Sequence, residues 1–183
     1  MNAWSELPGV DAPPRLTLVL GGARSGKSRL AERLTRDADP AAMPVYIATA
    51  QAFDDEMRAR IAQHQADRGA DWMTVEAPED LSGAIRAAGT VPALVDCLTL
   101  WLSNRMLADA DLETDRAGLM AALADRRAPT VLVSNEVGLG IVPDTPLGRR
   151  FRDAQGILNQ AVAAAADCVI FTAAGLPMVM KRP

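Results

Sequence analysis

Short apolar runs alternate along this chain with longer stretches whose apolar residues recur every three or four positions. Leu16–Leu20, Val45–Ala48, Trp72–Val75, Ala93–Val95, Thr130–Val133 and Cys168–Phe171 are the short runs. Unbroken runs of this length read as strands buried on both faces. Met178–Lys181, after Gly175 and Pro177, reads as a last short strand. Helical spacing predicts Lys27–Asp37, with Leu30, Ala31 and Leu34 on one face, then Asp54–Arg68, Pro78–Ala88, Leu98–Leu107, Leu112–Arg126 and Leu147–Ala166. Asp54 suits an N-cap, Asp55 and Glu56 suit the positive end of the dipole, and Gly69 ends that helix. Strand alternating with helix throughout predicts an α/β fold, a three-layer αβα arrangement on a mostly parallel sheet with right-handed crossovers. Residues 1–14 carry three prolines and no periodicity. They read as a flexible leader on which Trp4 is a candidate for docking, ahead of one domain over 15–183.

Ligands of such sheets bind at the carboxyl ends of the strands. The stretches that matter are therefore 21–28, 48–55, 76, 96–99 and 134–143. The first reads Gly21-Gly22-Ala23-Arg24-Ser25-Gly26-Lys27-Ser28, directly between a strand and a helix. This is the phosphate-binding G-x-x-x-x-G-K-[ST] loop in its proper context. Its backbone N–H groups cradle phosphate oxygens, Lys27 reaches the β- and γ-phosphates, and Ser28 offers a hydroxyl to Mg²⁺. The strand Ala93–Val95 ends at Asp96, a carboxylate placed to hold Mg²⁺ or to cap the next helix.

Composition narrows the field without adding chemistry. The net charge of −4 over 183 residues gives no electrostatic case for binding nucleic acid. Cys97 and Cys168 sit in or beside apolar runs with no C-x-x-C, which reads as two buried reduced thiols. No apolar run reaches membrane-spanning length and the first residues lack a signal pattern, so a cytoplasmic location is expected.

Several residues stay open on spacing alone. His64 is the sole histidine and continues the stripe of Met57 and Ile61, which fits an edge or partly buried position. Arg60 and Arg68 lie four residues to either side. Two guanidiniums disfavour protonation of an imidazole between them, and a neutral imidazole is a nucleophile. Asn135 and Glu136, after the Thr130–Val133 strand, either meet substrate or close a turn. Arg149, Arg150 and Arg152, on the first turns of a helix, either face a phosphate or pair with Asp144 and Asp153.

Taken together, GGARSGKSRLAE at 21–32, YIATAQAFDDEMRARI at 46–61, His64 followed by Arg68, then Trp72, Glu76, SNEVGLGIVP at 134–143 and FRDAQGILNQ at 151–160 resemble one family. It is the bifunctional adenosylcobinamide kinase / adenosylcobinamide-phosphate guanylyltransferase family of cobalamin biosynthesis. The resemblance implies a RecA-like P-loop fold, a homotrimer, ATP and GTP as substrates, Mg²⁺ as cofactor, and adenosylcobinamide and its phosphate as acceptors. It implies that His64 carries GMP covalently, with Lys27 as the other catalytic residue. Nucleotide contacts are implied at Gly21–Ser28, at Ala48, Thr49 and Ala50, at Gln65, Ala66, Asp67 and Arg68, at Glu76 and at Asp96. Two rival readings are a plain small-molecule P-loop kinase and a nucleotide-dependent switch. The first leaves the setting of His64 unexplained, and the second lacks the [NT]-K-x-D guanine motif.

Overall fold

The computed structural model describes residues 2–51 and 71–183. The helix expected over Asp54–Arg68, with His64 and the four residues after it, lies outside the described residues. Seven strands form one sheet: β1 (Leu16–Gly21), β2 (Val45–Ala48), β3 (Met73–Glu76), β4 (Ala93–Asp96), β5 (Thr130–Asn135), β6 (Cys168–Ala173) and β7 (Leu176–Lys181). Their order across the sheet is β3-β2-β4-β5-β1-β6-β7, and all pairs are parallel except β6–β7. The described helices are α1 (Lys27–Ala38), α2 (Leu81–Ala87), α3 (Leu98–Leu107), α4 (Leu112–Asp125) and α5 (Pro146–Ala165).

Two apolar cores flank the sheet, as the three-layer expectation requires. Val19, Tyr46, Leu94, Val131, Val133 and Ile170 pack with Ala31 and Leu34 of α1 on one side. Leu18, Ile47, Val95 and Leu132 pack with residues of α2–α5, among them Leu81, Leu102, Leu119 and Leu158, on the other. Alternate residues of one strand thus serve opposite cores, which is why the central strands are apolar throughout.

Element ends follow local chemistry. The helix expected from Pro78 starts at Leu81, because Asp80 caps it by accepting from the Gly83 N–H at 2.8 Å. Asp111 caps α4 through the Glu113 and Thr114 N–H groups; the Thr114 hydroxyl first, and then those N–H groups, hold its carboxyl below the usual carboxylate range. Thr145 caps α5, with Pro146 at its first position. β5 runs two residues past the expected Val133, and β7 starts two before Met178, where Leu176 pairs with Ala173.

The proline-rich segment at the start of the chain is part of the core. Ala3–Glu6 is a 3₁₀ turn, and Ala3, Trp4, Leu7 and Val10 are buried with the α1-side core. Trp4 does dock, with its indole N–H donating to the Leu34 carbonyl at 2.9 Å. The Ala3 N–H donates to Asp37, and Arg33 forks onto Glu6. Pro8 accepts from Arg182, so the two ends of the described chain meet. Composition suggested a leader because prolines mask periodicity; a few apolar anchors outweigh that signal.

Candidate active site at the carboxyl ends of the strands

The glycine loop leaves β1 at Gly21 and enters α1 at Lys27. Gly26 has φ of +94° and caps α1 in the left-handed conformation, which a residue with a Cβ adopts only with strain. A Cβ on Gly21 would lie 2.5 Å from the Thr172 carbonyl oxygen and 2.5 Å from Ser25 Oγ. Glycine is therefore demanded at both ends of the loop by the protein itself. The loop is braced by the β6–β7 turn, where the Gly175 N–H donates to the Ser25 carbonyl at 2.9 Å. Ser25 Oγ and Thr172 Oγ1 are buried here with no hydrogen-bond partner among the described residues. Two orphaned hydroxyls beside the glycine loop suit a ligand rich in acceptor oxygens. Lys27 Nζ donates to the Gly22 carbonyl at 2.9 Å, so the ammonium already lies along the loop. Ser28 follows on the first turn of α1.

Asp96 ends β4 on the same side of the sheet. Alternation puts it on the face of Leu94, against α1, and Tyr46 from β2 donates its phenol to Asp96 Oδ2. Asp96 is not beside β1, because β5 lies between them. Cys97 begins the turn into α3. Burial, and then the charge of Asp96, push its thiol up, and Cys168 is pushed up to about 11 for the same kind of reasons. Both thiols are buried and free of disulfide, as expected.

Thr49 is fully committed inside the protein. Its hydroxyl donates to the Cys97 carbonyl and accepts from the Cys97 N–H, both at 2.7 Å, and its own N–H donates to the Asp96 carbonyl. Asn104 of α3 donates to the Thr49 and Pro78 carbonyls at 2.8 and 3.1 Å. These bonds splice the ends of β2, β3 and β4 into one rim, flanked by the half-buried Ala48 and Ala50 and the exposed Glu76. Asn104 was not a sequence candidate; it stands between Ser103 and Arg105, and only its burial against the end of β2 marks it.

The residues after β5 divide. Glu136 accepts from the N–H groups of Gly138 and Leu139, so its carboxylate closes its own turn. Arg149 donates to the Pro143 and Asp144 carbonyls and Arg152 pairs with Asp153 at 3.4 Å, so both are tied locally. Asn135 faces the α1 side, beside Cys97.

A pocket of about 550 Å³ opens at the opposite ends of the strands, between α2 and α4. Arg126 closes it, donating to the carbonyls of Ile85, Gly89 and Val91 and to Thr130 Oγ1. Its guanidinium caps the end of α2, which makes this a structural joint far from the phosphate loop.

A model of cobinamide kinase / cobinamide phosphate guanyltransferase matches residues 17–180. The chain belongs to that family. A curated relative, the bifunctional adenosylcobalamin biosynthesis protein CobP of Pseudomonas aeruginosa, is 50% identical over 168 residues, covering 90% of this chain and 96% of that one. The CobU proteins of the same description from Salmonella typhimurium and Escherichia coli are 43% and 39% identical, each covering 91% of this chain and 99% of theirs. Among solved structures, the flagellar accessory protein FlaH of Methanocaldococcus jannaschii aligns with a TM-score of 0.54 at 14% identity, covering 95% of this chain and 81% of that one. The ATPase domain of G40P aligns at 0.51 and 10% identity, covering 87% and 69%. These two likenesses speak for the fold, and they agree with the three-layer P-loop architecture of this member of the cobinamide kinase family.

Proposed function

We propose that this chain phosphorylates adenosylcobinamide with ATP or GTP and then guanylylates the product. In the second reaction His64 attacks the α-phosphorus of GTP, pyrophosphate leaves, and GMP passes to adenosylcobinamide phosphate, giving adenosylcobinamide-GDP. The observation that carries this reading is the complete phosphate loop inside a family match that spans nearly the whole chain. The covalent histidine splits one exchange at phosphorus into two displacements. Arg60 and Arg68 keep the imidazole neutral and offset charge on the departing pyrophosphate. Lys27 serves both reactions, gripping the γ-phosphate in the first and the leaving pyrophosphate in the second.

Nucleotide contacts fall at Gly21–Ser28, Ala48–Ala50, Gln65–Arg68, Glu76 and Asp96. Thr49 holds that turn in place by its bonds to Cys97. The Ser28 hydroxyl and Asp96 carboxylate are hard oxygen donors that fit Mg²⁺, with Tyr46 orienting the carboxylate. When bound, the ion supplies charge neutralisation on the phosphates. A homotrimer and a cytoplasmic location complete the proposal; no described helix is long and apolar enough to cross a membrane.

Incubation with α-labelled GTP tests the covalent step. The wild type is expected to retain acid-labile, base-stable label, and His64→Ala to retain none while keeping kinase activity. Equal label on both proteins removes His64 from the mechanism.

A further inference from the structure

The chain leaving β1 enters α1 on one face of the sheet, and the chain leaving β5 enters α5 on the other. Neighbouring strands whose continuations part in this way leave a crevice at their carboxyl ends, where α/β sheets bind ligands. Gly21 and Asn135 stand opposite each other across it, in register. β4 ends at Asp96, level with Val133 and two residues short of Asn135. On that side, therefore, the backbone of Asn135 has no strand to pair with.

Side chains take the place of the missing strand. Thr99 Oγ1 accepts from the Asn135 N–H at 2.8 Å, and Asn159 Nδ2 donates to the Asn135 carbonyl at 3.1 Å. Behind them, Ser134 donates to Asn159 Oδ1 at 2.6 Å, and Gln155 Nε2 donates to Ser134 Oγ and Asn159 Oδ1 at 3.0 and 2.9 Å. Thr99, Ser134, Gln155 and Asn159 are all buried. Burying four polar side chains to fix one backbone position is demanding, and such networks specify geometry. The Asn135 carboxamide is held far less firmly. Among the described residues it meets only the Cys97 thiol, a weak acceptor, at 3.9 Å. It lies on the α1 side of the sheet, in register with the start of the phosphate loop and beside the residue that follows Asp96.

From this geometry we infer that Asn135 donates a carboxamide N–H to the γ-phosphate across the β1–β5 crevice and aligns it for transfer to the acceptor hydroxyl. The inference rests on the phosphate-loop reading above. In that transfer the acceptor oxygen bonds to the γ-phosphorus, the bond to the β–γ bridging oxygen breaks, the nucleoside diphosphate leaves, and the hydroxyl proton passes to water. Asn135 stays neutral and supplies a donor where charge spreads over the equatorial oxygens.

The test is steady-state kinase kinetics with ATP and adenosylcobinamide on full-length Asn135→Ala and Asn135→Asp, with Lys27→Ala in parallel and a thermal melt of each. Loss of one such donor predicts a kcat lowered about 30-fold or more in Asn135→Ala, with the KM for ATP within about threefold. Asn135→Asp keeps the shape but sets a carboxylate against phosphate, so a further drop of roughly tenfold is expected. A packing role predicts the reverse order, because the isosteric aspartate would then be the milder change. An aspartate variant more active than the alanine variant overturns the inference, as does activity within about threefold of wild type in both. If Asn135→Ala melts below the assay temperature, Asn135→Ser takes its place in the same comparison. Lys27→Ala inactive beside near-normal Asn135 variants overturns this inference alone. Lys27→Ala fully active overturns the phosphate-loop reading, and the inference with it.

Discussion

Gly21 and Asn135 end neighbouring strands at the same level, yet the two ends are made of different material. The β1 end is a backbone construction. Its glycines leave room for N–H groups to converge, and a Cβ at Gly21 would strike the Thr172 carbonyl. The β5 end is a side-chain construction, in which a hydroxyl and three carboxamide or hydroxyl partners replace a strand that has left the sheet. A backbone cradle admits no Cβ at Gly21 and strains under one at Gly26, so it fails at single positions. A side-chain frame spreads its cost over several residues and fails in steps.

The largest effect should come from Gly21→Ala. Overpacking against a backbone carbonyl costs about 1–3 kcal/mol, and the displaced loop should lose nucleotide affinity by at least roughly tenfold. Denaturant unfolding and titration of a fluorescent nucleotide measure the two; an unchanged affinity would mean that the loop is not the cradle. Asn159→Leu comes next. It leaves the Asn135 carbonyl without its side-chain partner, while Ser134 and Gln155 keep each other, at a cost of about 1–2 kcal/mol in unfolding free energy. Nucleotide affinity should change little, because the damage is confined to the β5 end; loss of affinity equal to that of Gly21→Ala would erase the distinction. Glu136→Gln should do least. Its oxygen still accepts from Gly138 and Leu139, so stability should shift by under about 0.5 kcal/mol, and kinase kcat by less than about twofold. A large fall in kcat would place the Glu136 carboxylate in the chemistry.

The two ends also differ in how readily the sequence discloses them. The phosphate loop is legible because its chemistry is local: eight consecutive residues carry the glycines, the lysine and the serine, and the flanking periodicities supply strand and helix. The strand order of the sheet is not local. The sequence puts Asp96 at a strand end without saying which strands part it from the loop; β5 does, and only the pairing shows it. Asn135 and Glu136 looked alike as polar residues after a strand. What separates them is contact with Thr99 and Asn159, more than twenty residues away in either direction, and the local turn that absorbs Glu136. Thr49 is a similar case, since its hydroxyl is spent on Cys97, far along the chain. Trp4 was recognisable as a candidate anchor, but its acceptor, a carbonyl at the end of α1, is invisible in any pattern of side chains.

The two ends of the chain are unequal as handles. The first residues grip the far end of α1, at Leu34 and Asp37, about two turns beyond the phosphate loop. The last strand instead begins at a turn that touches the loop: a Cβ on Gly26 would sit 3.3 Å from the Gly175 Cα. A fusion at the front therefore hangs from a distant tether, whereas one at the back pulls on a strand that leads straight to the glycine loop.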